Sequence, residues 1–283
     1  MTYSPEQTPF PFACQRWRDH RGIYRPPDEV ISTHEYEVAP IRLTQAKAFV
    51  KRHHYSGSYV ACRYRYGLFK RYALFPEDEL VGVAVFSNPM SQKVLTNIFT
   101  CDPLETIELG RFVLLDNVPS NAESWFFARC RELLKREGIK GIVAFSDDTP
   151  RTSLYNNQPI FFGHIGNFYQ ASNAVYLKRT TPRTLKLLPD GTVFSDRAAS
   201  KIRSRERGWR YAANILVMHG ATEPPADNPA AWLRHWTSLL TRSLRHRGNH
   251  RYAWSLSNSL RLPPSHRYPK WSYPFNQNGM SLS

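Results

Sequence analysis

The sequence predicts an α/β fold, a mixed central sheet flanked by helices, with a basic and mainly helical C-terminal extension. Three observations carry that reading. Short apolar runs at residues 80–86 and 139–145 have strand length and alternate with stretches of helical period. The clearest helix, residues 120–137, follows directly on a strand and its loop. After Pro182 the texture changes: residues 181–283 hold 16 Lys+Arg against 5 Asp+Glu, whereas residues 1–180 hold 22 against 18.

Taken in order, residues 1–33 are rich in proline and arginine and read as an extended N-terminal arm. Residues 35–43 form a first strand. Thr44 caps a helix to about His53, with Ala46, Phe49 and Val50 on its apolar side. His54-Tyr55-Ser56-Gly57 ends it, glycine suiting a left-handed turn. Residues 63–72 and 80–86 make an antiparallel hairpin around a turn at 76–79. Residues 106–115 are another strand, and Asp116-Asn117-Val118-Pro119 leads into a helix capped by Ser120 or Asn121. Trp125, Phe126, Cys130, Leu133 and Leu134 give that helix its spacing. Glu123 near its start and Lys135 and Arg136 near its end suit the dipole, and Gly138 stops it. Residues 139–145 are a continuously apolar strand of the kind found inside a sheet. A glycine-punctuated loop at 163–169 precedes a last strand at 174–179. This order is that of an acetyltransferase-like (GNAT) domain spanning residues 34–182.

Residues 183–283 form the extension. A single helix runs from about 195 to Met218, with Ala199, Ile202, Trp209, Ala213 and Leu216 as its apolar stripe. A linker at 223–229 leads to a second helix at 230–244, and the tail at 247–271 has no helical period.

The 283 residues suit one large domain, or a domain with an appendage. The mean hydropathy is -0.50, and no apolar run approaches the length of a membrane span. Residues 1–12 lack the basic-then-apolar order of a signal peptide, so a soluble cytoplasmic protein without a membrane partner is expected. Cys14, Cys62, Cys101 and Cys130 show no paired spacing, which argues against both a disulfide framework and a zinc signature. His246 and His250 have ligand-like spacing, but no cysteine lies near them. The net charge of +15, concentrated in the last third among aromatic residues, points to a polyanion, and nucleic acid is preferred. The expected contacts are Arg197, Lys201, Arg203, Arg205, Arg207 and Arg210, with Arg247 and Arg251 further on.

Five short motifs put reactive groups at the ends of buried elements, where function concentrates. They begin at His53, Glu108, Ser120, Phe145 and Gly166. The helix N-terminus after Pro119 can attract phosphate, with Ser120, Asn121 and Ser124 as donors and Arg111 adding charge. That would fit a pyrophosphate such as that of coenzyme A; an ordinary helix cap is the plainer reading. The usual glycine signature of acetyltransferases is absent there. His54, Tyr55, Asp147 and Tyr169 are groups able to move protons or bind a metal. Taken singly, each also fits a cap, a turn former or a packing residue.

These residues resemble the Mom family of phage DNA-modification proteins. The family pattern falls on His54-Tyr55-Ser56, Glu108-Leu109-Gly110-Arg111, Pro119-Ser120-Asn121-Ala122-Glu123-Ser124, Phe145-Ser146-Asp147 and Tyr169-Gln170-Ala171-Ser172. The resemblance covers roughly residues 40–180. It implies an acetyltransferase-like fold and modification of adenine at N6 in double-stranded DNA, the base being flipped out of the helix. The added group in the type member is carbamoylmethyl (acetamido), acetyl-CoA is the implied donor, and protection of phage DNA from restriction is the implied purpose. It further implies a phage-infected or prophage-carrying bacterial host, a catalytic or iron-binding set of His54, Tyr55, Asp147 and Tyr169, and coenzyme A contacts from Arg111 and Ser124.

Two other functions fit parts of the chain. An acetyltransferase for a small-molecule or protein amine would keep the coenzyme A loop without needing the basic third. A noncatalytic DNA-binding protein on a transferase scaffold would keep the basic helix without needing His54, Tyr55 and Asp147.

Overall fold

A central sheet of seven strands organises the molecule. The computed structural model describes residues 14–18, 21–25, 29–72, 78–89 and 91–270. The first 13 residues of the expected N-terminal arm lie outside the described residues, as do 73–77 in the hairpin turn and the tail from Trp271. Within the arm, β1 (Cys14–Arg18) and β2 (Arg21–Arg25) form an antiparallel hairpin.

The elements that follow are β3 (Tyr36–Pro40), α1 (Leu43–His53), β4 (Cys62–Lys70), β5 (Glu79–Ser87), the short α2 (Lys93–Thr96), β6 (Thr106–Leu114), α3 (Ala122–Arg136) and β7 (Gly141–Ser146). Next come β8 (Arg151–Thr152), β9 (Pro159–Phe161), α4 (Asn167–Ala171) and β10 (Val175–Arg179). The last third holds β11 (Arg183–Leu187), β12 (Val193–Phe194), α5 (Asp196–Ser204), α6 (Trp209–Val217), α7 (Pro229–Leu240), β13 (Arg242–His246) and β14 (His250–Ser255).

The order across the central sheet is β10-β14-β7-β6-β5-β4-β3. Neighbours are antiparallel except β6 and β7, which are parallel. This is the acetyltransferase-like mixed sheet expected from the element order. Central strands are covered on both sides, which explains their unbroken apolar runs. On β5, Ala84 and Phe86 belong to the cluster with Phe126, Phe127, Cys130 and Leu134 of α3, while Val83 and Val85 belong to that with Ala46, Phe49 and Val50 of α1. Each fully buried large side chain of these clusters contributes about 1.5–3 kcal/mol of transfer free energy.

The structure corrects the sequence reading at four places. Residues 250–255, expected in an irregular tail, are β14 and sit inside the central sheet between β10 and β7. The pairing partners are remote in sequence, so no local period announces them. The helix expected over 195–218 is two helices. Arg205 turns left-handed with φ 52° and Gly208 with φ 83°, which interrupts the backbone ladder between α5 and α6. The helix expected to reach residue 244 stops at Leu240, because Thr241 is extended and β13 pairs with β11. Thr44 is not the cap of α1: Arg42 holds that position, its N–H donating to Gln45 Oε1 at 3.1 Å.

Among the described residues the extension therefore carries three helices, a three-stranded sheet of order β12-β11-β13, and β14 of the central sheet. Leu188, Phe194, Ile202, Ala213, Leu216, Trp232 and Leu233 form its own buried cluster. No helix among the described residues is long and apolar enough to cross a membrane.

Candidate active site

The site begins where two strands part. β6 and β7 pair only at Thr106↔Gly141, Ile107↔Ile142 and Glu108↔Val143. β6 runs on to Leu114 and β7 to Ser146, so beyond Glu108 and Val143 no ladder joins them. Opposite this gap, β6 carries a bulge against β5: Val85 faces Arg111 and Phe86 faces Leu109, leaving Gly110 as the extra residue. A Cβ on Gly110 would lie 2.5 Å from Ser87 Oγ and 2.9 Å from Val60, so only glycine fits there.

The bulge aims Arg111 toward the loop after α1. Its Nε donates to Ser58 O at 2.9 Å, Nη2 to Ser58 Oγ at 3.0 Å and Nη1 to Gly110 O at 2.6 Å. This guanidinium therefore braces the His54–Ser58 turn, and does not lie at the start of α3 where a coenzyme A phosphate contact was expected. In the same turn His54 Nδ1 accepts from the Ser56 N–H at 3.2 Å, leaving the neutral ring's proton on Nε2. Burial, then the charges of Arg111 and His164, lower the His54 pKa to about 3.

Rings converge on Tyr55. Its centroid lies 4.2 Å from His54, 5.0 Å from Phe161 and 6.1 Å from His164, and His164 lies 6.3 Å from Tyr169. The Tyr169 hydroxyl donates to Phe145 O at 3.4 Å. Tyr55 also feels the charges of Arg111, Asp147 and Arg151, and Tyr169 those of Glu108 and Arg111. So His54, Tyr55, Asp147 and Tyr169, separated by up to 115 residues in sequence, share one neighbourhood. Burial pushes both phenols up and keeps them protonated. Burial also lowers His164 to about 4, against the opposing pull of Asp147. Gly163 makes the placement of His164 possible: its φ is 82°, and a Cβ there would lie 2.7 Å from the Asp148 backbone. The His164 N–H then donates to Asp147 O at 2.7 Å.

The two aspartates after β7 are both engaged. Asp147 Oδ1 accepts from the Thr149 N–H and from His246 Nε2, each at 2.9 Å, and Oδ2 accepts from Arg151 at 2.8 Å. His246 is fully buried and its Nδ1 accepts from the Gly248 N–H at 3.0 Å, which fixes the tautomer. Burial alone would raise the Asp147 carboxyl; Arg151, Thr149 and His246 outweigh it and hold it below the ordinary range. Asp148 is paired with both Arg179 nitrogens, with Arg247 at 3.5 Å and with His250 at 3.3 Å. Its burial is likewise outweighed, and its carboxyl stays well below the ordinary range. His246 and His250, the pair with ligand-like spacing, thus serve the two carboxylates.

Glu108 behaves differently. It stands at the last paired position of β6 and β7, and among the described residues no hydrogen bond reaches its carboxylate. Burial raises its pKa to about 7, with Arg111 opposing.

The four residues expected to hold iron do not fit that role as placed. Both Asp147 oxygens are occupied by stronger donors, His54 Nδ1 is engaged by Ser56, and burial opposes the phenolate forms of Tyr55 and Tyr169. Among the described residues no group of three or more His, Cys, Asp or Glu is arranged to hold a metal ion.

The start of α3 is occupied from within the chain. Glu29 Oε2 accepts from the Ser120 N–H at 2.9 Å, and Asn121 Oδ1 accepts from the Ile31 N–H at 2.8 Å. Asn121 therefore makes no side-chain cap, and Ser124 is half-buried on the first turn. A carboxylate stands where the phosphate was expected, so the position does hold an anion.

Beside Tyr55 lies a cleft of about 890 Å³, lined by Tyr55, Arg151, Asn156, Gln158, Phe161 and Thr192 among others. Tyr55 is 41% exposed as a residue, although its phenol lies within reach of the charges of Arg111, Asp147 and Arg151. The Arg151 guanidinium lies 4.2 Å from the Phe161 ring centroid.

The expected DNA contacts divide. Arg203, Arg205, Arg207 and Arg210 are exposed and Lys201 is half-buried. Arg197 is paired with Glu206, its Nη1 3.0 Å from Oε1. Arg247 is bound to Asp148, although its side chain is 73% exposed. Arg251 lies on β14 and donates to Leu177 O at 3.2 Å, so a place in the central sheet removes it from the expected contact set. The reading of the sequence passed over the roles of Glu108, Arg151, His164 and His246. A histidine between Gly163 and Gly166 was a usable signal; for His246, which meets Asp147 across 99 residues, nothing local was available.

Comparison with curated proteins found no match. Among solved structures, a tandem GNAT protein from the clavulanic acid biosynthesis pathway, without AcCoA, is similar at 10% identity and a TM-score of 0.39. That likeness covers 80% of this chain and 100% of the other, and at this score it carries no argument about function. A model of the Mom protein family matches residues 35–274, reaching through the basic extension as well as the sheet. By that match over most of its length, the chain belongs to the Mom protein family.

Proposed function

We propose that the chain is a DNA-modifying transferase that alters adenine at N6, with acetyl-CoA as acyl donor, protecting phage DNA from restriction. The family is one of phage DNA modification, which supports a transferase acting on DNA. The observation that carries the finer reading is the gathering of His54, His164 and Tyr169 around Tyr55, with Glu108 and Arg111 in electrostatic reach of Tyr169, where Tyr55 itself opens on a cleft.

A base inside a duplex cannot reach such a cleft, so the adenine must be extruded, at a cost of a few kcal/mol. The open Tyr55 ring offers it aromatic surface. Asn156 and Gln158 at the cleft wall offer amide groups that match its hydrogen-bonding edge. The N6 amine is a weak nucleophile. As its nitrogen attacks the thioester carbonyl of acetyl-CoA it must release a proton, while the C–S bond breaks and coenzyme A leaves as the thiolate. Glu108 suits that task, because a carboxylate with a pKa near 7 is a stronger base than one held low by arginine. Tyr55 stays protonated and can donate a hydrogen bond to a developing oxyanion. A carbamoylmethyl group holds a nitrogen that an acetyl group lacks and joins N6 through a methylene carbon, so acyl transfer from acetyl-CoA alone does not make it; these residues act on the bond to N6. Acetyl-CoA would supply the activated carbon. The unpaired edges of β6 and β7 suit its extended arm, and the start of α3 suits its phosphates once Glu29 withdraws.

Mass spectrometry of nucleosides from DNA exposed to the expressed chain tests this. A modified deoxyadenosine is expected, and Tyr55→Phe should lower its yield by about 10²–10⁴-fold while the fold is kept. Unmodified DNA from a folded, acetyl-CoA-supplied wild-type chain would overturn the reading.

A further inference from the structure

The segment predicted as one basic helix is two helices of nine residues, α5 and α6, joined by Arg205-Glu206-Arg207-Gly208. A four-residue connection containing glycine is the length of a helix–turn–helix. Both helices pack on α7 through Ala198, Ile202, Ala213, Leu216, Trp232 and Leu233, so the pair is held as a unit. The Arg197–Glu206 pair ties the turn back to α5.

This packing leaves one face of α6 outward. Arg207, Arg210, Asn214 and Met218 recur at intervals of three or four, Tyr211 stands beside Arg210, and all five are exposed, while Ala212, Ala213 and Leu216 are buried. Tyr211 and Met218 are 81% and 79% exposed, unusual for large apolar side chains that have a core available beside them. From residue 195 to 218 the chain holds six Lys/Arg against two Asp/Glu. Among the described residues no carboxylate pairs with Arg203, Arg205, Arg207 or Arg210. A cationic face of this shape complements a duplex, whose major groove admits one α-helix.

We infer that α5, the turn and α6 form a DNA reader, in which α6 enters the major groove with Arg210 and Asn214 at base edges while Arg203 and Arg207 hold flanking phosphates. The inference rests on the reading of the chain as a DNA-modifying enzyme and deepens it, by assigning target-sequence preference to this helix. The side chains match the task. The arginine fork fits the two acceptors of guanine, asparagine fits adenine, and Tyr211 and Met218 offer apolar surface to a thymine methyl.

The test is selection of bound duplexes from a pool with a randomised centre, using the full chain, followed by sequencing. Wild-type protein should enrich a short sequence. Asn214→Ala should relax the preference at one position about tenfold and Arg210→Ala at another. Arg210→Lys, which keeps the charge and loses the fork, should relax the preference while keeping overall affinity within about threefold. Both positions are exposed, so the fold should survive, and matching thermal midpoints check this. The inference is overturned if wild-type protein binds duplexes without enriching a sequence, or if all three variants retain the wild-type preference. Either result leaves the enzymatic reading standing. Conversely, an altered preference together with unmodified deoxyadenosine would support the reader and sink the enzymatic reading.

Discussion

Replacing Glu108 by glutamine isolates the charge of one half-buried carboxyl. Burial at the β6/β7 junction raises its pKa from 4.5 to about 7, and Arg111, already bonded to Ser58 and Gly110, only moderates this. Between these pH values the folded chain keeps a proton that the unfolded chain has released, so stability falls as pH rises. At 1.36 kcal/mol per pH unit the loss is about 3 kcal/mol, complete above pH 7 and absent below pH 4.5. Glu108→Gln has the same shape and no such loss. Urea unfolding from pH 4.5 to 8 should therefore show a stability difference that moves in favour of the variant by up to about 3 kcal/mol as pH rises. The same variant should lose about 10²–10⁴-fold in modification rate, and wild-type activity should climb as pH rises through about 7. Parallel stability curves for the two proteins would refute the argument that Glu108 is a desolvated acid. A wild-type rate independent of pH between 6 and 8 would refute its role as proton acceptor.

Three further outcomes follow from named contacts. Glu29→Gln removes the anion at the start of α3 and should tighten coenzyme A binding by about 0.3–1 kcal/mol in calorimetry; weaker binding would show that Glu29 does not compete. Replacing Arg203 and Arg207 together by alanine should make the slope of log affinity against log salt shallower by about 1.8, if each holds one phosphate, as read by fluorescence anisotropy. Asp148→Asn leaves Arg179 and His250 without their carboxylate and should cost about 3 kcal/mol in urea unfolding at pH 7. Because the Asp148 carboxyl is held below its ordinary 3.8, its contribution is present above that pH and lost below it, so the acid limb of the variant's stability curve should be flatter.

What the sequence determined by itself was local. The helical spacing of Phe126, Cys130 and Leu134 and the two-sided apolar run of β5 are recorded in consecutive residues, because burial repeats with the period of the backbone. The five motifs were legible for the same reason: each is a few neighbouring residues at the end of a strand or helix. Tertiary structure decided everything that depends on remote pairing. Insertion of β14 between β10 and β7 brings His246 and His250 to Asp147 and Asp148, a match set by sheet register and not by any local pattern. The bulge at Gly110 turns Arg111 from the expected phosphate site to the Ser58 loop. Glu29 reaches α3 from 91 residues away in sequence. The left-handed residues Arg205 and Gly208 break a stripe that continues in phase through the break, so side-chain period alone predicted one helix where the backbone makes two. Period reports which side of an element is buried. It carries no information about which remote charge a buried polar group will meet, and in this protein those meetings hold the Asp147 and Asp148 carboxyls low against their burial.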